Sequence, residues 1–111
     1  MTIATAAKIR NTLRAAGARQ SLEGTNRNGI ARSSGGFLVT PNGETKYWKS
    51  GKAWRQRTVK DGTFTVTYER PTFGKADNNR DDEERATIDA AISASGWSVT
   101  RTGVDTWIVS N

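Results

Sequence analysis

The chain contains neither cysteine nor histidine. Lack of cysteine excludes a disulfide framework and any thiolate metal site. Lack of histidine removes the commonest metal ligand, the usual general base near neutral pH, and both the Ser-His and Cys-His forms of nucleophilic catalysis. No apolar run approaches the roughly 20 residues of a membrane span. The opening stretch, Met1 to Gly17, also lacks the continuous hydrophobic segment of a secretory signal. A cytoplasmic protein with no membrane contact is expected. Leu, Ile, Val and Phe together make up only about a sixth of the 111 residues, a level at which disorder has to be considered.

Four tryptophans weigh against disorder. Each can bury roughly 150–250 Å², so a small core of Trp, Ile and Val can hold a chain of this size together. The length suits a single α+β domain, residues 1–111, with flexible loops at about 24–36 and 71–80.

Acid is scarce in one half only. Up to Lys60 there are twelve Lys and Arg against Glu23 and Glu44; from Asp61 onward there are five basic and nine acidic residues. The formal net charge of +6 therefore understates a basic first half. Such a region attracts phosphates at long range and is screened by salt. The acidic half offers the opposite outcome, internal pairing that leaves little exposed field.

Ile3, Ala6, Ile9, Leu13 and Ala16 recur at helical spacing, and Gly17 is placed to end that helix. Lys8, Arg10 and Arg14 project from its other side. The first twenty-two residues are acid-free, a composition shared by an amphipathic helix and a mitochondrial presequence, and the helix is the reading taken. Gly24 to Gly36 is rich in Gly, Asn and Ser, carries Arg27 and Arg32, and matches no nucleotide-binding fingerprint.

Two hairpins follow. Phe37–Thr40 and Thr45–Lys49 flank the turn residues Pro41-Asn42-Gly43-Glu44, while Ala53–Lys60 and Thr63–Arg70 flank Asp61-Gly62, the pair suited to a type I′ turn. That turn predicts Arg57 opposite Val66 and Arg55 opposite Tyr68, with Arg55 able to lie on the Tyr68 ring. A second helix is predicted with Asp81 as its cap, Glu84 completing a capping box, a stripe of Ile88, Ala91, Ile92 and Ser95, and Gly96 as its stop. A third hairpin, Trp97 to Ser110, is read around a Thr102-Gly103-Val104 loop, pairing Arg101 with Asp105 and Val99 with Trp107. Trp97 and Trp107 fall on one face and read as core. The architecture expected is two helices packed on a mainly antiparallel sheet of about five to six short strands built from hairpins.

The densest candidate for a site is the stretch from Lys46 to Lys60. Lys46, Lys49, Lys52, Arg55, Arg57 and Lys60 occur there with Tyr47, Trp48 and Trp54 and no acid. Lysine and arginine supply counterion release on phosphates, and the rings can stack on bases at roughly 1–3 kcal/mol each. These side chains, with Arg27 and Arg32, are expected to gather on one solvent-facing positive patch that binds DNA or RNA. The same surface suits an acidic protein partner. Asp81, Asp82, Glu83 and Glu84 are adjacent on a helix and point in different directions, so neither a magnesium site nor an enzyme is inferred, and no cofactor is called for.

Ala6-Ala7-Lys8-Ile9-Arg10 and Leu13-Arg14-Ala15-Ala16-Gly17, followed by Ser33-Ser34-Gly35-Gly36-Phe37-Leu38-Val39, resemble small accessory proteins of actinobacterial phages. They also resemble a short domain attached to polyvalent proteins of mobile elements. The resemblance covers about the first forty residues and brings no catalytic motif. It implies a phage or mobile-element protein acting on DNA or on a host factor, for instance a modulator of an acidic host protein.

Overall fold

The computed structural model describes residues 3–21, 23–25, 31–71 and 77–111, with backbone alone for 23–25 and 31–33. Helix α1 (Ala6–Ala15) starts where the Thr5 side chain accepts a hydrogen bond from the Lys8 amide at 3.1 Å. Ile9 and Leu13 are its buried positions; Ile3 and Ala16, expected on the same stripe, are exposed. Two short antiparallel strands, β1 (Glu23–Thr25) and β2 (Ala31–Ser33), pair within the segment expected to be a loop. The chain then makes β3 (Gly36–Ser50), β4 (Ala53–Glu69), α2 (Asn78–Ser93), β5 (Ser98–Arg101) and β6 (Thr106–Ser110).

The main sheet is antiparallel, in the order β3-β4-β6-β5. Its register puts Phe37 and Val39 beside Tyr68 and Val66, and these beside Trp107 and Val109, all on one face. Both helices cover that face: Ile9, Leu13, Ile88 and Ile92 complete a single core cluster with the six sheet residues and with Trp97. Among the described residues no helix covers the other face, where Leu38, Thr65, Thr67 and Ile108 are half-buried and Thr40 and Thr100 are exposed. The fold is thus α+β, with four strands in the main sheet where about five to six were expected.

The strand count drops because the two central hairpins are one. β3 and β4 pair from Gly36↔Glu69 out to Ser50↔Ala53, and the chain reverses at Gly51-Lys52. Gly51 has φ +63°, the conformation a two-residue hairpin loop with glycine in first place requires. Both expected turns lie partway along this ribbon, facing each other, where the register shifts between Pro41 and Gly43. Asp61 to Thr63 bulge there opposite Asn42. The reason is packing: a reversal at Asp61-Gly62 would put Arg55 and Arg57 beside Tyr68 and Val66 in the core. Burying two guanidinium groups costs far more than one favourable turn contributes.

The bulge is stitched by side chains. Asn42 donates to the Thr63 hydroxyl at 3.0 Å and accepts from the Thr65 hydroxyl at 2.8 Å, while Asp61 accepts from the Thr63 amide and hydroxyl at 2.9 and 2.7 Å. Those two bonds hold the Asp61 carboxyl below its ordinary pKa, the hydroxyl contributing most. At Gly43 a Cβ would collide with the Val59 carbonyl oxygen, so this strand approach requires glycine.

Two further expectations are corrected. Helix α2 begins earlier than predicted, capped by Asp77, which accepts from the Arg80 amide at 3.0 Å; Asp77 to Arg80 therefore belong to the helix start rather than to a loop, and 72–76 lie outside the described residues. Asp81 is buried instead of capping. The last hairpin turns through Thr102 to Asp105 and pairs Arg101 with Trp107 and Val99 with Val109, two residues from the expected register. Asp105 is drawn away by Arg85, whose Nε lies 2.5 Å from its carboxylate. A shift of two preserves side-chain parity, so Trp107 and Val109 still face the core. The α2 stripe holds through Ile88 and Ile92.

Candidate nucleic-acid interface

Beyond the bulge, β3 and β4 leave the body as a two-stranded arm. Every residue from Gly43 to Gly62 is exposed. Eight residues per strand at roughly 3.3 Å each give an arm about 25 Å long. The radius of gyration, 16.6 Å, exceeds the roughly 13 Å of a compact chain of this length, as such a projection requires.

The sequence makes an arm here because neither parity class of residues 43–60 is apolar. Cross-strand partners share a face. One face carries Glu44 with Val59, Lys46 with Arg57, Trp48 with Arg55 and Ser50 with Ala53; the other carries Gly43 with Lys60, Thr45 with Thr58, Tyr47 with Gln56 and Lys49 with Trp54. Lys52 sits in the terminal turn. No side of this ribbon can form a core, so both remain in water, joined on one side by a 2.9 Å hydrogen bond between the Thr45 and Thr58 hydroxyls.

The single positive patch expected from the sequence is therefore corrected. Lys46, Arg55, Arg57 and Trp48 lie on one face, Lys49, Lys60, Tyr47 and Trp54 on the other. Charge is concentrated by region rather than by face, since residues 43–60 hold six cations against Glu44 alone, or five of the six net positive charges of the chain. Arg27 lies outside the described residues, and Arg32 is placed only as a backbone position in β2, opposite Gly24.

Internal pairing with the acidic half does not reach the arm. Among the described residues none of the six arm cations forms an ion pair, whereas the arginines around α2 are consumed by carboxylates. Arg70 lies 2.7 Å from Asp81, Arg19 and Arg80 lie 3.2 and 3.7 Å from Glu84, and Arg85 lies 3.1 Å from Asp82.

That acidic cluster is built for folding. The Tyr68 hydroxyl donates to the buried Asp81 carboxylate at 2.6 Å, and this bond, aided by Arg70, holds Asp81 below the ordinary carboxylate pKa. Burial, together with the bond to Asp81 and the negative charge of nearby Glu84, pushes the Tyr68 phenol strongly upward. Arg85, raised chiefly by its bond to Asp105, lies over the Tyr68 ring at 5.4 Å, the place foreseen for Arg55; Arg101 lies over Trp107 at 5.0 Å. Among the described residues no group of acidic side chains converges as metal ligands would. An open cavity of about 320 Å³, lined by Lys8, Asn11, Thr12, Ser95 and Trp97, includes no arm residue.

Sequence reasoning found the cations and rings of the arm but missed the bulge that aims it, built from Asn42, Asp61, Thr63 and Thr65. A signal was present: the two turn motifs stand almost equidistant from Gly51-Lys52, as opposed positions in one long hairpin must. No helix among the described residues is long and apolar enough to cross a membrane. Compared with protein-family models, curated proteins and solved structures, the chain matches none.

Proposed function

We propose that this protein binds nucleic acid through the arm, without catalysis. The observation that carries the reading is a fully exposed ribbon holding five of the six net positive charges, none of its cations paired with a carboxylate among the described residues. Keeping like charges together on a thin projection is unfavourable in isolation, and a polyanion relieves it while releasing its own counterions. Tyr47, Trp48 and Trp54, exposed to 68, 44 and 72 %, add rings able to contact bases. A role among phage or mobile-element accessory proteins, which the first forty residues resemble, belongs to the same proposal.

The exposed indoles also favour a second reading, an acidic protein partner gripped by Trp48 and Trp54 within a basic rim. Fluorescence anisotropy with labelled DNA and RNA over a salt series separates the two. The nucleic-acid reading expects log affinity to fall linearly with log salt, by about 0.7–0.9 for each phosphate contacted. Replacing both Lys49 and Arg55 by alanine should lower that slope by about 1.4–1.8 if each meets one phosphate. Absence of binding to either nucleic acid at low salt sinks it and leaves the protein-partner reading.

A further inference from the structure

A surface that binds a single strand does best with its rings and cations on one face, because the strand lies along that face with its bases stacked and its phosphates beside them. The arm is divided differently. Trp48 with Lys46, Arg55 and Arg57 occupies one face, while Trp54 with Tyr47, Lys49 and Lys60 occupies the other. A strand laid on either would leave an indole and at least two cations unused. A groove engages more of such a ribbon at once.

The major groove of B-form DNA is about 12 Å wide and about 8.5 Å deep, admits a two-stranded ribbon, and has a phosphate chain along each wall. Flexible lysine and arginine stems on either face of a seated ribbon can reach those walls. A-form RNA offers no equivalent: its major groove is too deep and narrow for side chains to read, and its wide, shallow minor groove would leave one face of the arm in water. At roughly 25 Å, the arm spans about seven base pairs of duplex at 3.4 Å each.

Resting on the nucleic-acid reading above, we infer that the arm is a groove-binding ribbon for B-form duplex DNA, with cations from both faces engaged and Lys52 leading at the tip. A like-charged second arm is a poor occupant of the same surface, since neither face supplies the acid to pair with it beyond Glu44.

The test uses the full chain and three labelled probes of one sequence and equal length: a DNA duplex, an RNA duplex and single-stranded DNA. Two variants each clear one face, Lys46→Ala with Arg57→Ala, and Lys49→Ala with Lys60→Ala. Glutamine replacements at the same positions form a second set, and thermal melting verifies that each variant folds. Expected is at least about tenfold tighter binding to the DNA duplex than to the other probes, and roughly 10–100-fold weakening by each double variant near 100 mM salt. The groove is overturned if the RNA duplex or the single strand binds as tightly as the DNA duplex, or if clearing either face leaves affinity unchanged. Preference for the single strand removes the groove but keeps the nucleic-acid reading. Failure of all three probes to bind at 50 mM salt removes both.

Discussion

The four tryptophans divide evenly between two regions with opposite physics. In the body, Trp107 is 0 % and Trp97 8 % exposed; the Trp107 indole N–H donates to Asp89 at 3.0 Å, and Arg101 lies over its ring. In the arm, Trp48 and Trp54 stand in water on opposite faces of a ribbon. Among the described residues cations divide likewise: around α2 each arginine is answered by a carboxylate, and in the arm none is. The body buries its two indoles and pairs the arginines around α2 with carboxylates, and it holds the fold. The arm has left both unsatisfied, and an isolated two-stranded hairpin is marginal in water, so the body must hold its root in place.

The largest test of that division concerns the core. Trp107→Ala should cost about 4 kcal/mol in urea unfolding, as for other buried aromatic truncations, whereas Trp54→Ala should stay within about 0.5 kcal/mol, as at ordinary surface sites. Comparable losses at the two positions would show that the arm is part of the stabilising structure.

Next comes the polar cluster beneath the sheet. Asp81→Ala leaves the buried Tyr68 hydroxyl without its acceptor and removes the carboxylate facing Arg70, and should cost about 2–3 kcal/mol at neutral pH. Because the folded protein holds the Asp81 carboxyl below its ordinary value, its contribution is present above pH about 4 and is lost as pH falls further. Stability curves of wild type and Asp81→Asn should therefore converge in acid; parallel curves would refute the ionised pair.

In the arm the expected change is in binding alone. Replacing Lys49 and Arg55 together by alanine should weaken DNA binding roughly 10–100-fold at moderate salt, with an unchanged melting temperature. A shift in melting would mean that the arm cations serve the fold.

The smallest effect belongs to the junction. Asn42→Ala removes two of the four side-chain bonds that stitch the bulge, worth about 1 kcal/mol each. Hydrogen exchange should then quicken in the amides of 43–60 while those of Val66 and Trp107 keep their protection. Equal acceleration in both would show that arm and body open as one unit.

Much of the body was legible in advance. The Ile9 and Leu13 stripe, the Ile88 and Ile92 stripe, and the burial of Trp97 and Trp107 follow from periodicity, which reports the face that must leave water. The arm's composition was equally plain, six cations with three rings. Its geometry was not read, because Asp61-Gly62 and Pro41-Asn42-Gly43 carry strong local turn chemistry, and only their equal spacing from Gly51-Lys52 hints that each lies opposite the other. Asp81 misled in the same way: the residue types of a helix cap also suit a buried acceptor for tyrosine and arginine, and only the position of Tyr68 distinguishes them.

From the order of residues alone came the two helices, the α+β class and an acid-poor stretch rich in Lys, Arg and Trp, since each depends on local spacing or on simple counts. Tertiary structure decided where β3 and β4 reverse, which carboxylates meet which arginines, and that the cations project on both sides of a free ribbon. These outcomes depend on contacts between residues far apart in the chain, where burying Val66 and Tyr68 against Val39, Phe37 and Trp107 outweighs any single turn.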